Sequence, residues 1–161
     1  MHSSFGVALV YAALLGSSSQ YPADSTRTAA TLPDSIAASR AEYVAWLKQK
    51  VSGRGHELVD SVFTNLQYLG GFEAGVFPTV MERWSIALGV NCTHCHTPGK
   101  WASDSKQPKL IARQMAELSS TINDKLATIE GIKSRRPVIN CATCHRGELK
   151  PARSVPEKNL K

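Results

Sequence analysis

Two copies of one short pattern constrain this chain more than anything else in it: Cys92-Thr93-His94-Cys95-His96 and Cys141-Ala142-Thr143-Cys144-His145. In a CxxCH the two thiols can add across the two vinyl groups of one porphyrin, and the adjoining imidazole falls beneath the iron as its proximal ligand. The spacing carries the chemistry, because two intervening residues span the vinyl separation and a histidine without slack sits directly under the tethered ring. The two motifs use all four cysteines of the chain. A closed zinc ribbon would set its knuckles about 15 to 20 residues apart, whereas Cys95 and Cys141 are 46 positions apart. Zinc also needs no histidine at the same place in both pairs. A thioredoxin-like redox pair and structural disulfides fit less well still.

The chain's 161 residues match a single domain, and an aromatic content of 7% is thin for a core, a shortage that two large flat apolar cofactors would relieve. The formal charge of +6 drops to about +2 once four propionates are counted, so the basic composition does not argue for nucleic acid. From Cys92 onward there are 13 Lys plus Arg against 6 Asp plus Glu, while residues 34 to 91 hold 5 against 6. Positive charge therefore gathers around the second motif, where Lys133, Arg135, Arg136 and Arg146 are suited to pair with propionates and to leave a rim for an acidic partner.

Residues 1 to 19 contain the apolar run Phe5 to Leu15 followed by Gly16-Ser17-Ser18-Ser19. That run is shorter than the roughly 20 residues a membrane-crossing helix requires; it reads as a secretory signal peptide, which places the mature protein in the periplasm. Residues 20 to 33 read as a linker, and residues 34 to 161 as the folded domain. Within it, four helices are expected: Asp34 to Val51, Glu57 to Leu69, Pro78 to a stop at Gly89, and Gln107 to about Glu130. The third carries Met81, Trp84 and Leu88 on one face, and the fourth an unbroken stripe of Ile111, Met115, Leu118, Ile122, Leu126 and Ile129. Little reads as strand. The expected fold is all-α, a compact multihaem cytochrome c with helices packed around two covalently bound haems.

The helix pattern exposes a repeat of amphipathic helix, loop and CxxCH. Apart from the initiator, the methionines are Met81 and Met115, one per repeat. Singly each reads as a core gap-filler; paired in matching positions they read as distal ligands, because Met/His is a familiar axial pair in cytochromes c. His56 is the other upstream candidate for a distal ligand, although a histidine beside Gly55 at a helix start reads first as a surface residue, and His94, inside the Cys-Cys turn, is expected to face solvent.

Beyond the motifs, the stretches Val62 to Leu69, Leu88 to His96, Ala102-Ser103-Asp104, Ile111 to Met115, Ile122-Asn123 and Cys141 to Gly147 resemble the cytochrome c subunit of photosynthetic reaction centres and its smaller relatives. The resemblance covers roughly residues 58 to 151. It implies that Met81 is the distal ligand of the first haem, opposite His96, and that Met115, in the ARxM stretch, serves the second, opposite His145. Ile129 stands where the four-haem version of the family has a histidine lent to another haem, as suits a chain with a single two-haem unit. The function so implied is extracytoplasmic electron transfer with redox partner proteins, among them a membrane-bound electron-transfer complex, with at most peripheral contact to the membrane. The rival is a small dihaem peroxidase, which needs one haem with an open distal position.

Overall fold

The computed structural model describes residues 33 to 154; the expected signal peptide and most of the expected linker lie outside them. The described chain is helical, and its only β features are two isolated bridges, Leu58 to Glu73 and Thr97 to Lys100. Five α-helices follow in order: α1 (Pro33–Lys50), α2 (Val59–Val62), α3 (Phe77–Leu88), α4 (Gln107–Leu126) and α5 (Cys141–His145). None is long and apolar enough to cross a membrane.

Helix α1 buries Ser39, Tyr43 and Val44 against α3, and Lys48 and Lys50 in its last turn face the negative end of the helix dipole. Helix α3 has Pro78 in its first turn, where the missing amide hydrogen costs nothing, and stops at Gly89 with φ 65°. Donation from the Gly89 amide to Ile86 O and from the Val90 amide to Ser85 O closes the end. The left-handed turn at Gly89 has a second reason to be glycine. A Cβ there would stand 1.9 Å from the carbonyl oxygen of Gly147, so α3 and the segment after α5 meet backbone to backbone. The Gly147 amide also donates to Ala87 O at 2.9 Å. One joint thus fixes the second CxxCH against the helix that precedes the first.

The expected helix from Glu57 to Leu69 forms over only four residues, Val59–Val62. Its 3.6-residue pattern is outweighed by long-range hydrogen bonds. Phe63 turns extended at φ −126°, and Asn65 and Gln67 adopt left-handed φ of 59° and 52°. The Asn65 side chain is drawn across to Ala102 O at 2.6 Å and to Asp104 at 2.9 Å, a competition that Asn side chains routinely offer to helix backbone. Helix α4 ends at Leu126, short of Glu130, and Ile129 is exposed.

The fully apolar core is small: Tyr43, Val44, Val51, Val59, Ala74, Phe77 and Ala87. Helix α4 shows why. Its buried residues are Lys109 and Arg113, whereas Ile111, Met115 and Leu118 are 42 to 49% exposed. A helix with its cations inward and its apolar stripe outward is inverted for a water-facing surface; the stripe instead lines a cavity.

Candidate haem sites

Two cavities lie side by side. The first, about 300 Å³, is walled by Met81, Cys92, Cys95 and His96, with Tyr43, Trp46, Phe63 and Trp101 among the residues around them. The second, about 390 Å³, is walled by Met115, Cys141, Cys144 and His145, with Ile111, Leu118 and Ile122. Each therefore gathers one whole set of sequence-predicted residues. Trp84, Leu88, Cys95 and Ala112 line both, so one layer of side chains separates them, and a thiol of the first motif reaches the second cavity.

In the first motif, Asn91 leads into a 3-10 turn over Cys92–His94, and the His96 amide returns to Cys92 O at 3.1 Å. That tight turn sets both thiols and the imidazole on the cavity side. Burial pushes both thiols up from their ordinary pKa, opposed by Arg40 at Cys92 and by Lys106 and Lys109 at Cys95. Lys106 also donates to the Thr93 carbonyl inside the turn. Burial lowers the pKa of His96, against the Trp101 carbonyl that favours protonation, and the neutral imidazole is the ligating form. Its Nδ1 lies 2.9 Å from Trp101 O. A donor at Nδ1 fixes the tautomer and leaves the Nε2 lone pair for a metal.

Trp101 is itself held. Its ring stacks on Trp46 at 5.1 Å and meets Tyr43 edge-on at 5.3 Å, and its carbonyl also accepts from Lys109 Nζ at 3.1 Å. Lys109 and Arg113, one turn apart on α4, converge on Asp104 at 3.2 and 2.8 Å, and Arg113 donates to Asn65 O at 2.7 Å. Hydrogen bonds from Arg113, then Asn65 and Lys109, hold the Asp104 carboxyl well below the usual carboxylate range. This knot ties the 63 to 72 loop, the segment after His96 and α4 together. The sequence reading gave none of these four residues a role. The available signal was a Lys and an Arg at i, i+4 on an otherwise apolar-patterned helix, with a single acid just before it.

In the second motif, Asn140 caps α5: its Oδ1 accepts from the Ala142 amide at 2.9 Å, and its own amide donates to Thr143 Oγ1 at 3.1 Å. The His145 Nδ1 lies 3.0 Å from Glu148 O, the same device as at His96. Asn123 on α4 grips the backbone of Ile139 from both sides, donating to its carbonyl at 3.1 Å and accepting from its amide at 2.7 Å. Each such bond contributes about 1 kcal/mol. Together they anchor the motif opposite the apolar stripe.

One expectation needs correction. His94 does not face solvent; it is half-buried and lines the second cavity, which Cys95 of the same turn also reaches. His56 is the surface residue its place beside Gly55 suggested: it lines neither cavity, and its fully exposed side chain lies 3.9 Å from Glu73. All four cysteines are free thiols, and among the described residues no group of three or more His, Cys, Asp or Glu is placed to hold a metal ion, so the four cysteines do not converge as zinc would require. The donor sets instead fit haem: a cysteine pair, a tautomer-fixed imidazole and a methionine around each apolar space.

The match to the family model for the photosynthetic reaction centre cytochrome C subunit runs over residues 22–159. The photosynthetic reaction center cytochrome c subunit of Roseobacter denitrificans is 33% identical over 106 residues, 61% of this chain and 28% of that protein. Its counterpart in Thermochromatium tepidum is 34% identical over 94 residues, 56% of the chain and 22% of that protein. Cytochrome c-554 of Chloroflexus aurantiacus is 34% identical over 82 residues, half of this chain and 20% of that protein. In these pairings the chain spans less than a third of each relative's length.

Proposed function

The chain belongs to the photosynthetic reaction centre cytochrome c subunit family, and from that membership we propose that it is an electron carrier with two covalently bound c-type haems, working outside the cytoplasm. The observation that carries this reading is the sorting of the ligand candidates: Met81 shares a cavity with Cys92, Cys95 and His96, and Met115 shares the other with Cys141, Cys144 and His145.

A bound haem supplies a one-electron ferric/ferrous couple. The residues do the rest. The cysteine sulfurs tether the ring, and His96 and His145, oriented through Nδ1 by the carbonyls of Trp101 and Glu148, present Nε2 to the iron. The thioethers of Met81 and Met115 would supply each site's second ligand. As soft ligands they would favour the ferrous state and raise the potential above that of a bis-imidazole site. Ligation by both would leave no open position for peroxide, which separates a carrier from a dihaem peroxidase. Trp84, Leu88 and Ala112 exclude water from the wall between the sites, and Cys95 sits on both sides of it, so the tether of one haem borders the other's space. Once the cysteines are attached, electron transfer itself asks no bond-making chemistry of any side chain.

In this reading residues 1 to 19 are removed on export, residues 20 to 33 are a linker and residues 34 to 161 form the dihaem domain in the periplasm. Its partners are redox proteins, among them a membrane-bound electron-transfer complex, with peripheral membrane contact and no nucleic acid. Denaturing mass spectrometry of the protein matured in a host that attaches c-type haem tests the reading. Two haems per chain are expected. One haem, or zinc and none, overturns it, and a high-spin haem that reacts with peroxide moves the chain to the peroxidases.

A further inference from the structure

The two sites differ in what surrounds them, and the difference identifies where a partner binds. At the first, Cys92, Cys95 and His96 are all half-buried behind Trp46 and Trp101. At the second, Cys141 and His145 are likewise half-buried, but Cys144 is exposed. An electron enters or leaves most readily where the cofactor edge approaches solvent.

That site is also the charged one. Residues 131 to 153 contain Lys133, Arg135, Arg136, Arg146, Lys150 and Arg153 against the single acid Glu148, and all six cations are exposed. Among the described residues none of the six forms a salt bridge, whereas Arg54, Lys109 and Arg113 are each paired with an acid. The cations are anchored to the site rather than scattered. Arg146 directly follows His145 and caps α5, and the arm carrying Lys133, Arg135 and Arg136 ends at Ile139, which Asn123 clamps to α4. Ile132, Val138 and Leu149 stand exposed among them at 38, 59 and 46%. An apolar centre with a rim of unpaired like charge is the anatomy of a transient interface that relies on steering for speed.

We propose that the basic face around α5, from Lys133 to Arg153, is the docking surface for an acidic electron-transfer protein, with the second haem as the port. The proposal rests on the reading of Cys141–His145 as a haem site. In the exchange the partner's oxidised centre gains one electron and the second haem iron goes from ferrous to ferric; no proton or bond moves.

An acidic blue copper protein serves as the probe, its copper(II) taking the electron. Stopped-flow oxidation of the ferrous holoprotein should slow as salt rises, because screening weakens steering. The Lys133→Glu/Arg135→Glu/Arg136→Glu variant should lose about tenfold or more in the bimolecular rate at low salt, with its salt dependence flattened and both reduction potentials unchanged. The Lys48→Glu variant, altered in the last turn of α1, should react as wild type does. The proposal is overturned if both variants slow equally, if neither does, or if the arm variant shifts a potential while the rate holds, which would make those cations propionate partners only. Wild-type protein carrying one haem would instead sink the dihaem reading itself, and the mass measured beforehand separates the two failures.

Discussion

The two CxxCH sites share a sequence grammar and differ in almost everything around it. The first is bordered by three aromatic rings and a knot of buried cations on one acid; the second leans on the stripe of α4 and the end of α3, beside positive charge that forms no salt bridge among the described residues. Motif and methionine set out the same candidate ligands twice. The surroundings divide the labour, so that one site is built into the fold and the other is set on its surface.

The harshest way to break that contrast is to remove each tether. In Cys92→Ser/Cys95→Ser the haem proposed for the space among Tyr43, Trp46, Phe63 and Trp101 would not be attached, and the protein should lose cooperative thermal unfolding. In Cys141→Ser/Cys144→Ser the α1–α3 packing has its own contacts, and a cooperative transition should survive at lower temperature. Circular dichroism melts of the two variants, with haem content measured alongside, make the comparison; equal losses would erase the distinction between built-in and surface site.

Removal of the methionines sharpens it. The second cavity has a histidine besides its proximal one, His94, and the first has none beyond His96. Met115→Ala should therefore recruit His94 and stay low-spin at a lower potential, while Met81→Ala should open to high-spin iron. Met115→Ala/His94→Ala should then be high-spin as well. Retention of the low-spin second haem in that double variant would rule His94 out as the replacement.

The joint between the sites comes next in size. Gly89→Ala forces a Cβ into the Gly147 carbonyl and into a left-handed φ of 65°, and the φ alone costs about 1 to 2 kcal/mol. The holoprotein should melt at lower temperature, with the second haem's signals more disturbed than the first's. A melting point equal to wild type would show that the backbone contact is not holding the sites together.

The smallest expected effect is in acid. Asp104 has a folded pKa depressed by Arg113, Asn65 and Lys109, so the unfolded chain binds the extra proton. Its contribution is complete above the ordinary carboxylate value of about 3.9 and is lost as pH falls through the lower folded value. Thermal midpoints of wild type should drop below about pH 4, and Asp104→Asn should flatten that part of the profile, with its largest deficit near neutrality. A profile that Asp104→Asn leaves unchanged would remove the knot from the account.

The helical class, the stop at Gly89, and the grouping of each methionine with its own CxxCH were legible in the sequence, because periodicity and motif spacing are local. What was not legible depends on contacts distant in the chain. Asn65 leaves the helical register because Ala102 and Asp104 lie across from it, and no window around Leu58 to Leu69 contains them. Lys109 and Arg113 are buried because Asp104 is brought to them, against the ordinary expectation that cations mark the wet face. His94 was misread for the converse reason. A residue between two cysteines looks exposed until a second cavity is found on the other side of the same turn.

The central claim is that each cavity holds one haem ligated by its own methionine, and the near-infrared spectrum of the ferric protein tests it most directly. Sulfur-to-iron charge transfer gives a weak long-wavelength band, which wild type should show at the strength of two methionine-ligated haems. Met81→Ala and Met115→Ala should each remove half of it. A band already at half strength in wild type, or one that Met115→Ala leaves intact, would contradict the account.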